Sequence, residues 1–197
     1  MELKNSLRKT IVEDRKKFSE VMHSNANDTI IKNVSDFLYS QISEKADSLD
    51  KKLRLIVGLY WPMAGEPDLL KLAVASKWSV VIPKIRGERM DFVKYEVGHE
   101  LEISLFGKLK QPRNNIKVVP NIAILPGLAF SLSGHRLGFG VGHYDKYFAK
   151  IGSSITKIGV CFHENLYECL PYEAHDTKMD YIITDKIIIS FNPTLVS

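Results

Sequence analysis

Short, continuous apolar runs rich in β-branched residues recur along this chain of 197 residues. Such runs are typical of strands that are buried on both faces of a sheet. They cover residues 53–61, 79–85, 118–127, 157–162 and 180–185. Because helical periodicity lies between several of them, the sequence predicts an α/β fold in three layers. We expect a mainly parallel open sheet with helices on both faces.

Two helices are predicted before the first strand. The first has apolar residues at a spacing of four, namely Leu3, Leu7 and Ile11. A break is expected over residues 23–27, so that Asn27 or Asp28 would cap the second helix. The apolar stripe of that second helix comprises Ile30, Ile31, Val34, Phe37, Leu38 and Ile42.

Other elements are indicated by proline positions and by alternation of apolar residues. They are a helix over 67–77, an edge-like strand over 90–96, a connecting segment over 98–115, a helix over 143–150, a helical turn near 164–166 and an edge strand over 186–191. No internal repeat or long linker is visible, so a single domain over residues 1–197 is expected.

Composition excludes several classes of protein. No apolar run approaches the roughly 18–20 residues that span a bilayer, and the N-terminus lacks the apolar region of a secretory signal. Cys161 and Cys169 do not form a disulfide framework, so a reducing cytoplasm is the expected location. The net charge of +4 is mild, and no arginine-rich run is interleaved with aromatic residues. A nucleic-acid partner is therefore not expected.

Three glycines alternate in the segment R-L-G-F-G-V-G-H-Y-D, residues 136–145. Glycines allow positive φ angles and a close approach of the backbone to a ligand. Successive amides can then converge on phosphate oxygens at the start of a helix. Arg136 supplies a planar cation that suits phosphate, and Asp145 is placed to hold magnesium.

This loop is neither a P-loop nor a dinucleotide fingerprint, because GK[ST] is missing and the glycine spacing differs from GxGxxG. A loop of three glycines alone could simply connect a strand to a helix. The neighbouring Arg136 and Asp145 favour a functional site.

The longer segment LPGLAFSLSGHRLGFGVGHYDKYF, residues 125–148, resembles the signature of the 5-formyltetrahydrofolate cyclo-ligases, also called methenyltetrahydrofolate synthetases. Three other segments agree in the same order. They are a K-x-x-x-R pattern at Lys4 and Arg8, a Met-x-x-Glu pattern over 63–66 and a late carboxylate at 175–176. The resemblance covers nearly the whole chain.

Four positions depart from the family pattern. Val141 stands where Gly or Lys is usual, and His143 replaces an aromatic Tyr or Phe. Ser131 replaces a common Asp, and Gln111 stands where Glu is frequent. None of these changes removes a charge that the resemblance assigns to catalysis.

The resemblance implies a nucleotide site around the glycine loop. The resemblance gives Lys4 and Arg136 a catalytic role at the reacting phosphate. Without the resemblance, the spacing of Lys4 and Arg8 would favour a basic helix face exposed to solvent. The implied ATP-binding residues are Lys4, Arg8, Arg136, Leu137, Gly138, Phe139, Gly140, Val141, Gly142, His143 and Tyr144.

The resemblance also implies a folate site and a magnesium site. Glu66 would accept hydrogen bonds from the pterin, and Trp61 would stack on it. From the residues alone, Glu66 could equally be an acid at the start of a helix, and Trp61 could be a core residue. The other implied substrate-binding residues are Phe139, Gly140, Val141, Gly142 and His143. Asp145 and Asp176 would hold magnesium, with Asp180 as the alternative to Asp176.

The implied reaction converts ATP and 5-formyltetrahydrofolate into 5,10-methenyltetrahydrofolate, ADP and phosphate. The partners would be these small molecules, with the folate in its free or polyglutamylated form. A monomer is favoured, and neither a membrane nor nucleic acid is involved. Three alternatives stay open at this point. They are a nucleotide-dependent ligase or kinase with another substrate, a binding module without turnover, and a scaffold whose basic first helix binds RNA.

Overall fold

A computed structural model describes residues 2–15, 20–46, 55–74, 77–104, 109–152 and 154–191. The helices are α1 (Glu2–Arg15), α2 (Glu20–Ala46) and α3 (His143–Ile151), with 3₁₀ turns at Leu70–Ala73 and His163–Asn165. The strands are β1 (Ile56–Gly58), β2 (Ser79–Arg86), β3 (Arg89–Tyr95), β4 (Leu101–Ile103), β5 (Lys110–Pro112), β6 (Ile122–Leu125), β7 (Ala129–Ser131), β8 (Arg136–Leu137), β9 (Thr156–Val160), β10 (Leu166–Tyr167), β11 (Tyr181–Ile183) and β12 (Ile188–Ser190).

The central sheet has the strand order β12-β11-β9-β6-β1-β2-β3. Its five inner strands are parallel, whereas β3 and β12 pair antiparallel at the two edges. The mainly parallel sheet and both edge strands agree with the sequence prediction. All five inner strands end at the same edge, where ligands bind in open α/β sheets.

Both faces of this sheet are apolar, which explains the continuous hydrophobic runs. In β2, Val80 and Ile82 belong to the core beneath α2, whereas Val81 between them belongs to the core beneath α3. Helix α2 contributes its buried stripe to the first core, and that stripe comprises Ile30, Val34 and Leu38. The three-layer prediction is confirmed. Among the described helices, none is long and apolar enough to cross a membrane.

The predicted break before the second helix is wrong, because α2 runs without interruption from Glu20 to Ala46. Asn27 lies inside this helix instead of capping it. Its side-chain amide donates to the Asp68 carbonyl at 3.1 Å, and its Oδ1 accepts from the Asp68 amide at 2.7 Å. The polar residue thus attaches the loop after β1 to α2, and its position does not mark a helix start.

The predicted helix over 67–77 is also wrong over most of its length, since only a 3₁₀ turn forms at Leu70–Ala73. Asp68 Oδ1 accepts from the Leu70 amide at 2.9 Å, while the Asp68 backbone is bonded to α2. Because of these contacts, the helical part of the segment is limited to the turn at Leu70–Ala73. Residues 75 and 76 lie outside the described part of the chain, as do residues 53 and 54 of the first predicted strand.

Two small sheets were not predicted from the sequence. One is the β4–β5 hairpin inside the expected connecting segment. The other has the order β10-β7-β8 and lies between the end of β6 and the glycine loop. Its strands have only two or three residues each, too few for a recognisable alternation.

Phe130 of β7 connects this second small sheet to the central sheet. The ring is fully buried and lies over Gly159 of β9, where an added Cβ would approach Phe130 Cε1 to 2.3 Å. That distance is far below van der Waals contact, so a side chain at Gly159 would displace Phe130. Phe130 can occupy this position only because residue 159 is a glycine. Since β7 pairs with β8, which leads into the glycine loop, the small residue in β9 also helps to fix the start of that loop.

We predict that Gly159→Ala lowers the free energy of unfolding by about 1–3 kcal/mol, the usual cost of overpacking a core. Phe130→Leu in the same chain should make the alanine less costly, so that the double variant loses less stability than the sum of the two single variants. Urea denaturation of the four proteins measures this. Additive losses would show that the two residues do not compete for space.

Candidate functional site

Helix α1 docks through one face that carries three cations around one apolar anchor. Lys4, Arg8, Ile11 and Arg15 are spaced by four, three and four residues and so share a face. Ile11 is buried in a small core with partners from the carboxyl end of the sheet, which are Leu128, Ala129, Leu137 and Leu170. The predicted apolar stripe is only partly buried, because Leu3 is 70% exposed.

Lys4 is buried and pairs with two carboxylates of the segment before β11. Its Nζ lies 2.6 Å from Asp176 Oδ2 and 3.5 Å from Glu173 Oε2. Burial alone would raise the pKa of Asp176, but hydrogen bonds from Lys4 and from the Glu173 amide outweigh burial and lower it. Asp176 is therefore an ionised partner of Lys4 at neutral pH.

Arg8 lies across the glycine loop. Its Nε donates to the Gly138 carbonyl at 2.9 Å. A Cβ at Gly140 would approach Arg8 Cζ to 3.3 Å, and the φ of Gly140 is +99°, so a side chain there would be both crowded and strained. The glycine at this position allows the guanidinium to lie directly on the loop.

The glycine loop presents free backbone donors. None of the amides of Phe139, Gly140, Val141 and Gly142 donates to an acceptor among the described residues. Gly142, with a φ of +71°, immediately precedes α3. The loop thus combines free amides with the positive end of a helix, an arrangement that suits an anion.

The side chain of Arg136, at the start of β8, is buried. Its Nη2 lies 3.2 Å from Asp145 Oδ2, its Nη1 is 3.3 Å from the Pro126 carbonyl oxygen, and its guanidinium lies 5.0 Å from the centre of the Tyr144 ring. Its side chain is only 7% exposed. Arg136 therefore joins the end of β6 to the first turn of α3.

The two predicted metal carboxylates are connected through one backbone amide. Asp145 Oδ1 accepts from the Thr177 amide at 3.1 Å, and Thr177 directly follows Asp176. Asp176 also forms a compact group with Glu173 and His175, whose potential ligand atoms lie within 4.8 Å of one another. Asp180 lies elsewhere, since it pairs with Lys157 of β9 at 2.8 Å.

Glu66 is a buried carboxylate in the loop after β1. It is 8% exposed, and its Oε2 accepts from the Met63 amide at 3.0 Å. Burial raises the pKa of Glu66 to about 7, against the opposing effects of that amide, Arg15 and Arg136. Its charge is therefore sensitive to small changes around neutral pH.

Trp61 lies at the exit of β1 and is only half-buried. Its ring meets Tyr95 edge-on with 6.4 Å between centroids, and the Lys110 ammonium lies 5.5 Å from the Trp61 ring centre. Part of the indole surface thus remains accessible beside the β4–β5 hairpin.

The remaining loop residues differ in exposure. Phe139 and Val141 are exposed, Leu137 is buried, and Tyr144 and His143 are half-buried. Burial lowers the pKa of His143, and a hydrogen bond with the Glu88 backbone opposes that shift. The turn between β2 and β3 thus borders the glycine loop, and Glu88 also pairs with Lys146 of α3 at 3.1 Å.

Arg15 was not among the predicted site residues. Its Nη2 donates to the carbonyls of Gly127 and Leu128 at 2.6 and 2.8 Å, where β6 turns toward β7. The available signal was its spacing, because Arg15 falls on the same helix face as Lys4 and Arg8.

We predict that Lys4→Gln lowers the free energy of unfolding at pH 7 by about 1–2 kcal/mol, between the values for exposed and for buried ion pairs. Because the pKa of Asp176 is lowered in the folded state, this contribution is complete above its ordinary value of 3.8 and is lost as the pH falls through the lowered value. Urea denaturation of both proteins between pH 7 and pH 3 measures the difference.

Lys32→Gln is the matched control, because Lys32 pairs with Asp36 at 2.7 Å on an exposed helix face. Its loss should stay below about 0.5 kcal/mol at every pH. An equal loss in the two variants would contradict the prediction for Lys4.

The chain is similar to proteins of known function in both sequence and fold. The model of the 5-formyltetrahydrofolate cyclo-ligase family matches residues 1–185. The 5-formyltetrahydrofolate cyclo-ligase of Mycoplasma genitalium is 26% identical over 91% of this chain and 96% of its own length. The enzyme of that name from Saccharomyces cerevisiae is 32% identical, but the match covers 39% of this chain and 40% of the yeast protein.

Among solved structures, the NMR structure of 5,10-methenyltetrahydrofolate synthetase from Aquifex aeolicus is similar over 95% of this chain and 92% of that protein. Its TM-score is 0.75 and its sequence identity is 28%. The match of the family model over nearly the whole chain, together with this fold, shows that the chain belongs to the 5-formyltetrahydrofolate cyclo-ligase family.

Proposed function

We propose that this protein catalyses the ATP-dependent conversion of 5-formyltetrahydrofolate to 5,10-methenyltetrahydrofolate, with release of ADP and phosphate. The observation that carries the proposal is the glycine loop, whose four consecutive amides have no acceptor among the described residues while Arg8 lies on the same loop. Family membership and the buried Glu66 beyond the end of β1 support the folate part.

The nucleotide side of the proposed site is the surface between α1 and the loop. Amides from Phe139 to Gly142 would bind phosphate oxygens, and Arg8 would lie beside them. Lys4 and Arg136 now pair with Asp176 and Asp145. They would contribute positive charge to the same region, and we assign them to stabilising the transferred phosphoryl group.

The folate side is the loop after β1. Glu66 has its Oε2 bonded within its own loop, and its carboxylate would accept hydrogen bonds from pterin N–H groups. Trp61 offers a partly exposed indole for stacking. Phe139 and Val141 are exposed at the junction between the two sides and would contact both substrates.

Asp145 and Asp176 fit magnesium by the chemistry of their ligand atoms, because carboxylate oxygens are the ligands that this ion prefers. Asp145 Oδ1 accepts from the amide of Thr177, the residue after Asp176, so the two carboxylates belong to neighbouring segments. Lys4 and Arg136 pair with these carboxylates, and magnesium would compete with the two cations for the oxygens. Bound magnesium would neutralise part of the charge on the phosphate oxygens.

The proposed chemistry requires no protein nucleophile. The formyl oxygen attacks the γ-phosphorus and ADP leaves, which turns a poor leaving group into phosphate. The neighbouring folate nitrogen then attacks the activated carbon, which closes the five-membered ring. This nitrogen releases its proton to solvent, and phosphate departs with the C–O bond electrons to leave the methenyl cation. The residues of the chain need only align the formyl oxygen with the phosphorus and stabilise negative charge.

Two further proposals concern the setting of the protein. Cys161 and Cys169 are both free thiols, which is compatible with a reducing cytoplasm. We expect a monomer that acts on small molecules.

The direct test mixes the purified protein with ATP, magnesium and 5-formyltetrahydrofolate, and follows the near-ultraviolet absorbance of the methenyl product. We expect absorbance to rise only when all three are present, with one ADP formed for each methenyl group. ATP hydrolysis without methenyl product would favour a ligase or kinase with another substrate. Binding of folate without any ADP would favour a module that has lost turnover.

We predict that Asp145→Asn raises the magnesium concentration for half-maximal turnover at least about tenfold, because an amide is a weaker ligand than a carboxylate. Asp180→Asn is the control, since Asp180 pairs with Lys157 away from the loop. Magnesium titrations of steady-state turnover measure both variants. An unchanged magnesium dependence in Asp145→Asn would remove that residue from the metal site.

A further inference from the structure

Arg15 is the third cation on the docked face of α1. Its Nη2 donates to two carbonyls at the end of β6, and its Nε lies 3.5 Å from Asn165 Oδ1. Its Nη1 is buried and has no hydrogen-bond partner among the described residues. Burial lowers the pKa of Arg15, while the charge of Glu66 opposes that shift. A half-buried guanidinium with one buried, unused donor is stabilised by a nearby negative charge.

The loop that carries Glu66 packs directly on the stem of Arg15. A Cβ at Gly65 would approach Arg15 Cδ to 3.0 Å, and Gly65 has a φ of +77°. A glycine is therefore needed where the loop passes over this side chain. The contact places the Glu66 loop against the same arginine that holds Gly127 and Leu128.

The Glu66 carboxylate has no direct ion pair with any described residue, although it is buried. Besides the Met63 amide, the groups that act on its charge are two cations, Arg15 and Arg136. Tyr60 and Tyr144 lie near enough for the Glu66 charge to raise the pKa of both phenols. Arg136 is already paired with Asp145 at 3.2 Å. Arg15 pairs with no carboxylate at that distance among the described residues, so its charge is the less compensated of the two.

We infer that Arg15 is a positioning residue for catalysis, which holds the Glu66 loop against the end of β6 and supplies the positive charge that the buried Glu66 carboxylate requires. An arginine suits this role, since its planar group donates to both carbonyls and still has Nη1 as an unused donor. The docking of α1 would thereby do two things. It would favour the charged form of Glu66 on the folate side, and it would position Lys4 and Arg8 on the nucleotide side.

The first test measures Glu66 itself in the substrate-free protein. Carbon-13 NMR of protein labelled at the glutamate carboxyl carbon follows its titration, and the signal is assigned by its loss in Glu66→Gln. Without the arginine charge the carboxylate is less favoured, so Arg15→Gln should move the Glu66 titration midpoint at least about half a unit to higher pH. Arg15→Lys should restore most of the original midpoint because it keeps the charge.

Arg113→Gln is the matched control, because it removes an arginine that pairs with Glu100 on the β4–β5 hairpin. Its Glu66 midpoint should equal that of the unchanged protein. A purely structural role for Arg15 would lower thermal stability without moving the midpoint, and an unmoved midpoint in folded Arg15→Gln would overturn the inference. If that variant does not fold, a midpoint in Arg15→Lys that departs from the original by more than half a unit would overturn it too.

The second test measures affinity for 5-formyltetrahydrofolate between pH 6 and pH 8, and it rests on the proposed function of Glu66. In the unchanged protein, affinity for 5-formyltetrahydrofolate should fall as the pH drops. In Arg15→Gln the same fall should occur at higher pH. In Glu66→Gln the affinity should not depend on pH over this range. If Glu66→Gln keeps the full dependence, the folate assignment fails, while the NMR result on Arg15 stands independently. A shifted NMR midpoint together with an unshifted affinity profile would overturn the catalytic part of the inference.

Discussion

The site depends on a helix that buries its charged face. Lys4, Arg8 and Arg15 point toward the body of the protein, and each is compensated differently, by a carboxylate, by a loop carbonyl and by two strand-end carbonyls. Burying a cation costs free energy unless it finds such partners. Ile11 supplies the apolar contact that these polar bonds cannot provide. In this docked position the helix contacts both loops, the glycine loop through Arg8 and the loop of Glu66 through Arg15.

The strands of the sheet and the glycine loop were predictable because the residues that indicate them are contiguous in the sequence. Runs such as residues 79–85 are apolar on both faces, and only a strand between two helical layers requires that pattern. The start of α2 was not predictable, since Asn27 is a good helix cap that here binds the Asp68 backbone 41 residues away. Strands as short as β8 carry no periodicity of their own.

Most of the candidate site residues were found through resemblance and not through spacing. Nothing local distinguishes Lys4 and Arg8 from a solvated basic face until Asp176 and the Gly138 carbonyl are seen beside them. Arg15 escaped prediction for the same reason, because its partners lie more than a hundred residues away. The role of Arg136 at phosphate stays a prediction, and its guanidinium is bonded to Asp145 and to the Pro126 carbonyl.

The antiparallel course of β3 places a hairpin tip beside the glycine loop. Since β3 reverses direction after β2, the two-residue turn of Gly87 and Glu88 lies at the same edge as the ends of the parallel strands. Its backbone reaches His143 and its carboxylate reaches Lys146, so the residues that follow the glycine loop contact a turn outside the core. Surface turns tolerate changes in length, so insertions at this tip would alter the surroundings of the glycine loop while every strand register stays the same.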